Sequence, residues 1–470
     1  MLATRHIARL CALPGGPVAL LATGLSMLIG MQAASPVSAQ PYTELAQIKD
    51  SPEYAKKKTE MFAAGTTDDD GKKLFDQHYT FRIAEMTVAA NYDKLAAKRD
   101  VLKQKDLVPL GRATSPELHD RLTRFLVTNL PKLCAGSSYH PAVRVNWTLI
   151  LGDLNAKEPE FNGRGDVPLP EALPELQKLY VDENQHPAVR LAALVGITRH
   201  VKSNASAETR QRLAQAMAAM LATKKPKEFS QDAHDFFRRR TVDALRVLLE
   251  VAPDAGDATV AAALAALIAD PNVKMHYRCE AAAALGMLEG RGFKKEQVPE
   301  LARTLAELAV QITKPDAPPA AAPPNEIAPA ARPPVAPPVD VPPGNRPPGT
   351  GGTAPLVANN PTAVRATLSR DVQGYFLACV RQGYKGSKQN RGLASVSVEA
   401  DTKKIVDDLS AKVEEMFRLV TDKKVDDANL PIQLGRVNQG LQAMIRDQGA
   451  GKASADAGAT LQKLSDRAKP

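Results

Sequence analysis

The pentapeptide His-Pro-Ala-Val-Arg occurs at residues 140–144 and again at 186–190, and each copy opens a run with apolar residues at helical spacing. The copies lie 46 residues apart. That period leaves room for two helices. A two-helix unit cannot cover its own apolar face and must stack on a like neighbour. The chain is 44% apolar but only 4% aromatic, which suits close-packed helices better than sheets, so an all-α fold is expected.

Hairpin-like units can be read from residue 115 onward. Ser115-Pro116-Glu117 starts a helix bearing Leu118, Leu122, Phe125, Leu126 and Leu133. Its partner, from Pro141, carries Val143, Trp147, Ile150, Leu151 and Leu154 at offsets of 4, 7, 8 and 11. After a polar loop, residues 155–166, a second pair uses Leu173, Leu176, Leu179 and Tyr180, then Val189, Ala193, Ile197 and Val201. A third uses Leu213, Met217, Met220 and Leu221, then Val242, Leu245, Leu248 and Leu249. A fourth uses Val260, Leu264, Leu267 and Ile268, then a helix reaching Leu288. A fifth first-type helix, residues 298–312, has no immediate partner.

Residues 115–313 resemble HEAT repeats, the helical hairpins of bent scaffolds. The resemblance rests on Val143-Arg144 with Leu151-Gly152, Val189-Arg190 with Ala192-Ala193, and Asp270 through Val273 with Leu285-Gly286. It implies an α-solenoid with a broad binding surface, and a partner that is another protein. His140 and His186 stand where that family often carries Asp, so its Asp-Arg ladder between units is not expected here. Arg144, Arg190, Arg240 and Arg278 are spaced by 46, 50 and 38, which implies irregular stacking.

The flanks differ in character. Arg5 and Arg9 precede an apolar run, residues 18–31, and Val37-Ser38-Ala39 makes a small-x-small site, so residues 1–39 are expected to be a signal peptide and the chain to be exported. Residues 40–110 form an N-terminal helical region, with Ser51-Pro52-Glu53 as one helix start, ahead of HEAT-like repeats over 111–314. In residues 66–71 a calcium loop is suggested by Asp68, Asp70 and Gly71 but fails, because Thr66 and Gln77 stand where carboxylates are required. Residues 315–361 hold 16 prolines in 47 positions and are expected to be disordered, a spacer that could reach over ~100 Å at ~3.1 Å per residue. Additional C-terminal helices are expected over 362–448. The first, capped by Asn360-Pro361, has Leu368, Val372, Tyr375, Phe376 and Cys379 on its apolar face and ends at Gly383. It is expected either to pair with the orphan helix 298–312 or to join a separate bundle. Residues 449–470 read as a frayed tail.

Without residues 1–39 the formal charge falls from +9 to +7 and is diffuse. That permits weak contact with acidic polymers or a membrane surface, and it is no signature of nucleic-acid binding. Cys134, Cys279 and Cys379 are odd in number and far apart, so buried free thiols are expected. No stretch matches a nucleotide loop, metalloprotease helix, nucleophile elbow or haem site, and neither cofactor nor metal is expected. His140 and His186 should cap their helices or fill the turn, and Arg144 and Arg190, one turn into their helices, should pair with turn acids or carbonyls. Arg238, Arg239 and Arg240, beside Lys224, Lys225 and Lys227, form the densest basic cluster, at the third hairpin's turn, and are the best candidates for a partner contact. Asn146-Trp147-Thr148 and Asn204-Ala205-Ser206 are glycosylation sequons. The expected function is a non-catalytic exported scaffold for protein–protein interaction. The alternatives are an envelope structural protein that binds acidic polymers, and an enzyme or lyase-like helper built on the same scaffold.

Overall fold

A computed structural model of the chain describes residues 42–45, 49–160, 165–203, 205–226, 229–314, 368–388 and 390–450. The expected signal peptide, the proline-rich segment, the Asn360-Pro361 cap, the sequon at Asn204 and most of the expected tail lie outside them. The fold is all-α; the one sheet among the described residues is a two-stranded antiparallel pair, β1 (Asn155–Lys157) with β2 (Val167–Pro168), inside the polar loop. None of the described helices is long and apolar enough to cross a membrane.

The N-terminal region comprises α1 (Pro52–Ala64), α2 (Asp69–Ala84) and α3 (Leu95–Val101), the last widening into a π-turn over Leu102–Leu107. Ser51 sits at the α1 cap but makes no side-chain cap bond, whereas Asp68 caps α2 by accepting from Gly71 N–H. Asp68 therefore acts as a helix cap. Tyr54, Phe75 and Tyr79 are buried together, and α3 packs on the helix that carries Trp147.

Five helix pairs follow. They are α4 (Glu117–Ala135) with α5 (Pro141–Asp153), α6 (Ala172–Val181) with α7 (Pro187–Ser203), α8 (Ala207–Ala222) with α9 (Gln231–Val251), α10 (Ala258–Ala269) with α11 (Met275–Leu285), and α12 (Val298–Thr313) with α13 (Arg370–Lys385). Each first helix packs on the next first helix, and each second on the next second, giving two parallel rows over a continuous core. Two glycine crossings bring second-row backbones unusually close. A Cβ on Gly152 of α5 would stand 2.8 Å from Gly196 Cα of α7, and one on Gly286, at the end of α11, would stand 2.0 Å from the Gln382 carbonyl oxygen of α13. Only hydrogen at these positions permits the observed spacing.

The α12–α13 pair joins helices on either side of residues 315–367. Tyr384 Oη of α13 donates to the Ala302 carbonyl of α12, and Gln382 Nε2 donates to the Ala283 carbonyl of α11 at 3.2 Å. The buried stripe of α13 differs from the expected one. Phe376, Leu377, Cys379, Val380 and Tyr384 are buried, whereas Leu368, Val372 and Tyr375 are exposed. The helix also begins at Arg370 under a Ser369 cap and runs through Gly383, stopping at Gly386, whose φ of 75° ends it. Its neighbours α11, α12 and α14 select the buried arc, and Gly383 is small because it lies against the Ala282 carbonyl.

The last pair, α14 (Ala400–Thr421) and α15 (Leu430–Ala450), takes the two rows in reverse order. α14 lies beside α13 and α12, while α15 lies beside α12 and α14. Asn438 of α15 donates to the Val310 carbonyl at 3.0 Å and to Thr313 Oγ1 at 2.9 Å, satisfying the end of α12. Arg370 fans its guanidinium over the end of α14, donating to the carbonyls of Val420 at 2.7 Å and Val425 at 2.8 Å as well as to those of Leu419 and Asp422, and to Asp427 at 2.8 Å.

Candidate functional site

Two groups of sequence candidates separate in space. At the hairpin turns, His140 Nδ1 accepts from Ala142 N–H at 3.1 Å and His186 Nδ1 from Ala188 N–H at 3.2 Å, so each ring satisfies a donor of the helix it opens. His140 is also stacked against Tyr92, with ring centroids 4.3 Å apart, and meets Tyr42 edge-on at 4.8 Å. Burial lowers the pKa of both rings, that of His186 to about 4 with the Arg144 and His140 charges adding to the effect. Among the described residues no group of three or more His, Cys, Asp or Glu could hold a metal ion.

The arginines four residues after these caps share one geometry. Arg144 Nε donates to the Cys134 carbonyl at 2.9 Å, Arg190 Nε to Tyr180 at 2.9 Å, and Arg278 Nε to Ile268 at 2.6 Å. Every acceptor lies ten residues back, in the last turn of the first helix of the same pair, where carbonyls lack helical partners. The other arm reaches onward: Arg144 to Gln185, Arg190 to Met220 Sδ at 3.5 Å, Arg278 to Gln311 Oε1 at 2.7 Å. One guanidinium thus ties its own pair to the next. Arg240 does not belong to this series, because α9 starts at Gln231 and Arg240 falls ten residues after its Ser230 cap. The fourth residue there is His234, 6% exposed, with a pKa that burial lowers to about 4, aided by Arg238 and Lys225.

Arg238, Arg239 and Arg240 lie two to three turns inside α9 rather than at its turn, and successive side chains on a helix point about 100° apart. They diverge accordingly. Arg238 faces Asp270 at 3.5 Å, Arg239 pairs with Glu280 at 3.2 Å and lies over the Tyr277 ring at 5.4 Å, and Arg240 pairs with Asp243 at 2.8 Å. Lys227 is outside the described residues.

Another set of residues does share one face. Arg239, Asp243 and Arg246 recur at i, i+4 and i+7 along α9. Glu280 joins them from α11 and Tyr375 from α13, all within electrostatic range of Arg246. Burial raises the pKa of Asp243 and Glu280 against the pull of the neighbouring arginines. Arg246 makes no hydrogen bond or ion pair among the described residues, and its Nε is buried without a partner. Of these residues only Arg239 was legible as a candidate; the i, i+4, i+7 charges of α9 were the available signal for Asp243 and Arg246. Glu280 stands between Cys279 and an alanine run and gave none.

A second charged feature is an open groove along α14, lined by Asp407, Ser410, Glu414, Arg418 and Lys385. Burial would raise the Glu414 pKa, but hydrogen bonds from Lys385 at 2.6 Å and Arg381 at 2.5 Å outweigh it and hold the carboxyl at about 2. Cys134, Cys279 and Cys379 are buried thiols, and burial pushes Cys134 up to about 12 and Cys379 up to about 11. No protein-family model matches this chain, and no curated protein matches it either.

Proposed function

We propose that the chain is an exported, non-catalytic scaffold of HEAT-like hairpins forming an α-solenoid, and that it binds another protein through the second-row face of α9, α11 and α13. The repeated arginine tie and the two-row packing support the solenoid reading. The observation that carries the binding reading is Arg246, which makes no ion pair, within electrostatic range of half-exposed Tyr375. Export follows from the pattern of residues 1–39. The paired state of Arg238, Arg239 and Arg240 weighs against the acidic-polymer alternative, since each charge is already matched. In Asp243 and Glu280 the carboxyls are engaged by Arg240 and Arg239, which weighs against a general acid–base pair.

The test is affinity capture from envelope extract with the mature chain, residues 40–470, and with a Val372→Glu/Tyr375→Glu variant. A stoichiometric protein held by the first at moderate salt and lost by the second is the expected result. Capture of nothing, or of the same proteins by both, refutes the assignment of this face.

A further inference from the structure

The same face has a definite chemical character, and the assignment of its ligand rests on the scaffold reading of the chain. Val372 and Tyr375 lie three residues apart in the first turns of α13 and are 38 and 49% exposed, and Leu368, just ahead of the Ser369 cap, is 38% exposed. Val372 and Tyr375 make a short apolar strip on one face of that helix. Arg239, Arg240 and Arg246 meet two carboxyls, Glu280 and Asp243, which leaves one net positive charge; Arg239 and Arg240 are ion-paired, and Arg246, within electrostatic range of Tyr375, makes no ion pair.

We propose that this face binds a peptide segment of a partner protein in which an Asp or Glu carboxylate pairs with Arg246 while an adjacent apolar side chain packs on Val372 and Tyr375. A wholly apolar segment would cover a guanidinium that has no partner, which is unfavourable. A basic segment would meet Arg246 directly and find Asp243 and Glu280 already engaged. Phosphate recognition ordinarily uses several unopposed cations, and this face offers one net positive charge, which matches a monoanion. A single carboxylate next to an apolar residue satisfies both halves of the surface.

The experiment selects a phage library of random 12-residue peptides on the full mature chain, and in parallel on Arg246→Gln and on Tyr375→Ala, each checked for wild-type helicity by circular dichroism. Enrichment of Asp or Glu next to Leu, Phe or Tyr is expected on the wild type. One enriched peptide, labelled with fluorescein, should lose ~tenfold or more in affinity when its acid is changed to the amide, and a similar factor on Arg246→Gln. The two losses should not add, because they remove the same pair. Enrichment without acidic preference, equal affinity on Arg246→Gln, or no enrichment overturns the proposal. So does enrichment that appears only after residues 315–361 are deleted, which would assign the strip to the chain's own segment. Envelope partners retained undiminished by Arg246→Gln but lost by Val372→Glu/Tyr375→Glu would leave the scaffold reading standing while this one fails.

Discussion

Replacing Gly152 with alanine tests the close crossing of α5 and α7. The new Cβ would stand 2.8 Å from Gly196 Cα, where ordinary contact begins at 3.4 Å, so the two helices must part by at least ~0.6 Å. Both partners are backbone atoms, and no flexible side chain can move aside. Overpacking of this kind costs ~1–3 kcal/mol, and the better helix propensity of alanine returns up to ~1 kcal/mol of that; because both atoms are backbone the upper part of the range applies, for a net loss approaching ~2 kcal/mol. Trp147, the single tryptophan, is fully buried five residues earlier on α5 and reports the local transition by its fluorescence in urea. A local probe is apt because stacked arrays can unfold in sections. Gly435→Ala serves as the control: it lies within α15 with nothing within 4 Å of its added Cβ, and should gain ~0.5–1 kcal/mol by circular dichroism. A Trp147 midpoint for Gly152→Ala at or above that of the wild type would refute the account of the crossing.

Arg278→Met should destabilise by ~2–4 kcal/mol, since it removes charged bonds to Ile268 and Gln311 and leaves a buried carbonyl unpaired; thermal unfolding measures it, and a loss below ~0.5 kcal/mol would count against the tie. Burial, with Arg199 beside His200 and with Arg238 and Lys225 beside His234, holds both rings at about 4 against 6.5 in an unfolded chain, so the unfolded state takes up protons first as pH falls. Their contribution is complete above pH ~6.5, declines by up to ~1.4 kcal/mol per pH unit each down to ~4, and then levels off. Urea titrations across that range should show a shallower slope in His200→Leu than in the wild type, and an equal slope would contradict the assignment. Arg370→Lys should raise amide exchange selectively over residues 419–427, because an ammonium cannot span four carbonyls, while exchange in α5 should stay unchanged.

The paired helices were legible because apolar spacing and proline-led starts are local signals, and the repeated pentapeptide placed its two histidines and two arginines in equivalent environments. What was not legible depended on neighbours. Arg240 looked like a fourth member of the arginine series by spacing alone, yet the start of α9 at Gln231 makes His234 the equivalent residue. In the sequence around α13 both Leu368-Val372-Tyr375 and Phe376-Val380-Tyr384 have helical periodicity, and the start of the helix at Arg370 and the positions of α11, α12 and α14 decide which is covered. Gly196, six rather than eight residues after Arg190, carries the same crossing as Gly152, so a fixed offset could not find it. Arg246 gave no sign of being unpaired, because pairing is a property of space and not of sequence.

The two helices of the α12–α13 pair are separated in sequence by residues 314–369, yet they are packed as one unit. Cutting the chain anywhere within 315–367 would therefore yield two polypeptides that stay together, running as two bands under denaturing electrophoresis but as one species on a sizing column. Made separately, the two pieces become a bimolecular system. Their dissociation constant would report the combined strength of the contacts that α13, α14 and α15 make with α11 and α12, a quantity that in an uncut chain is hidden inside the unfolding of the whole.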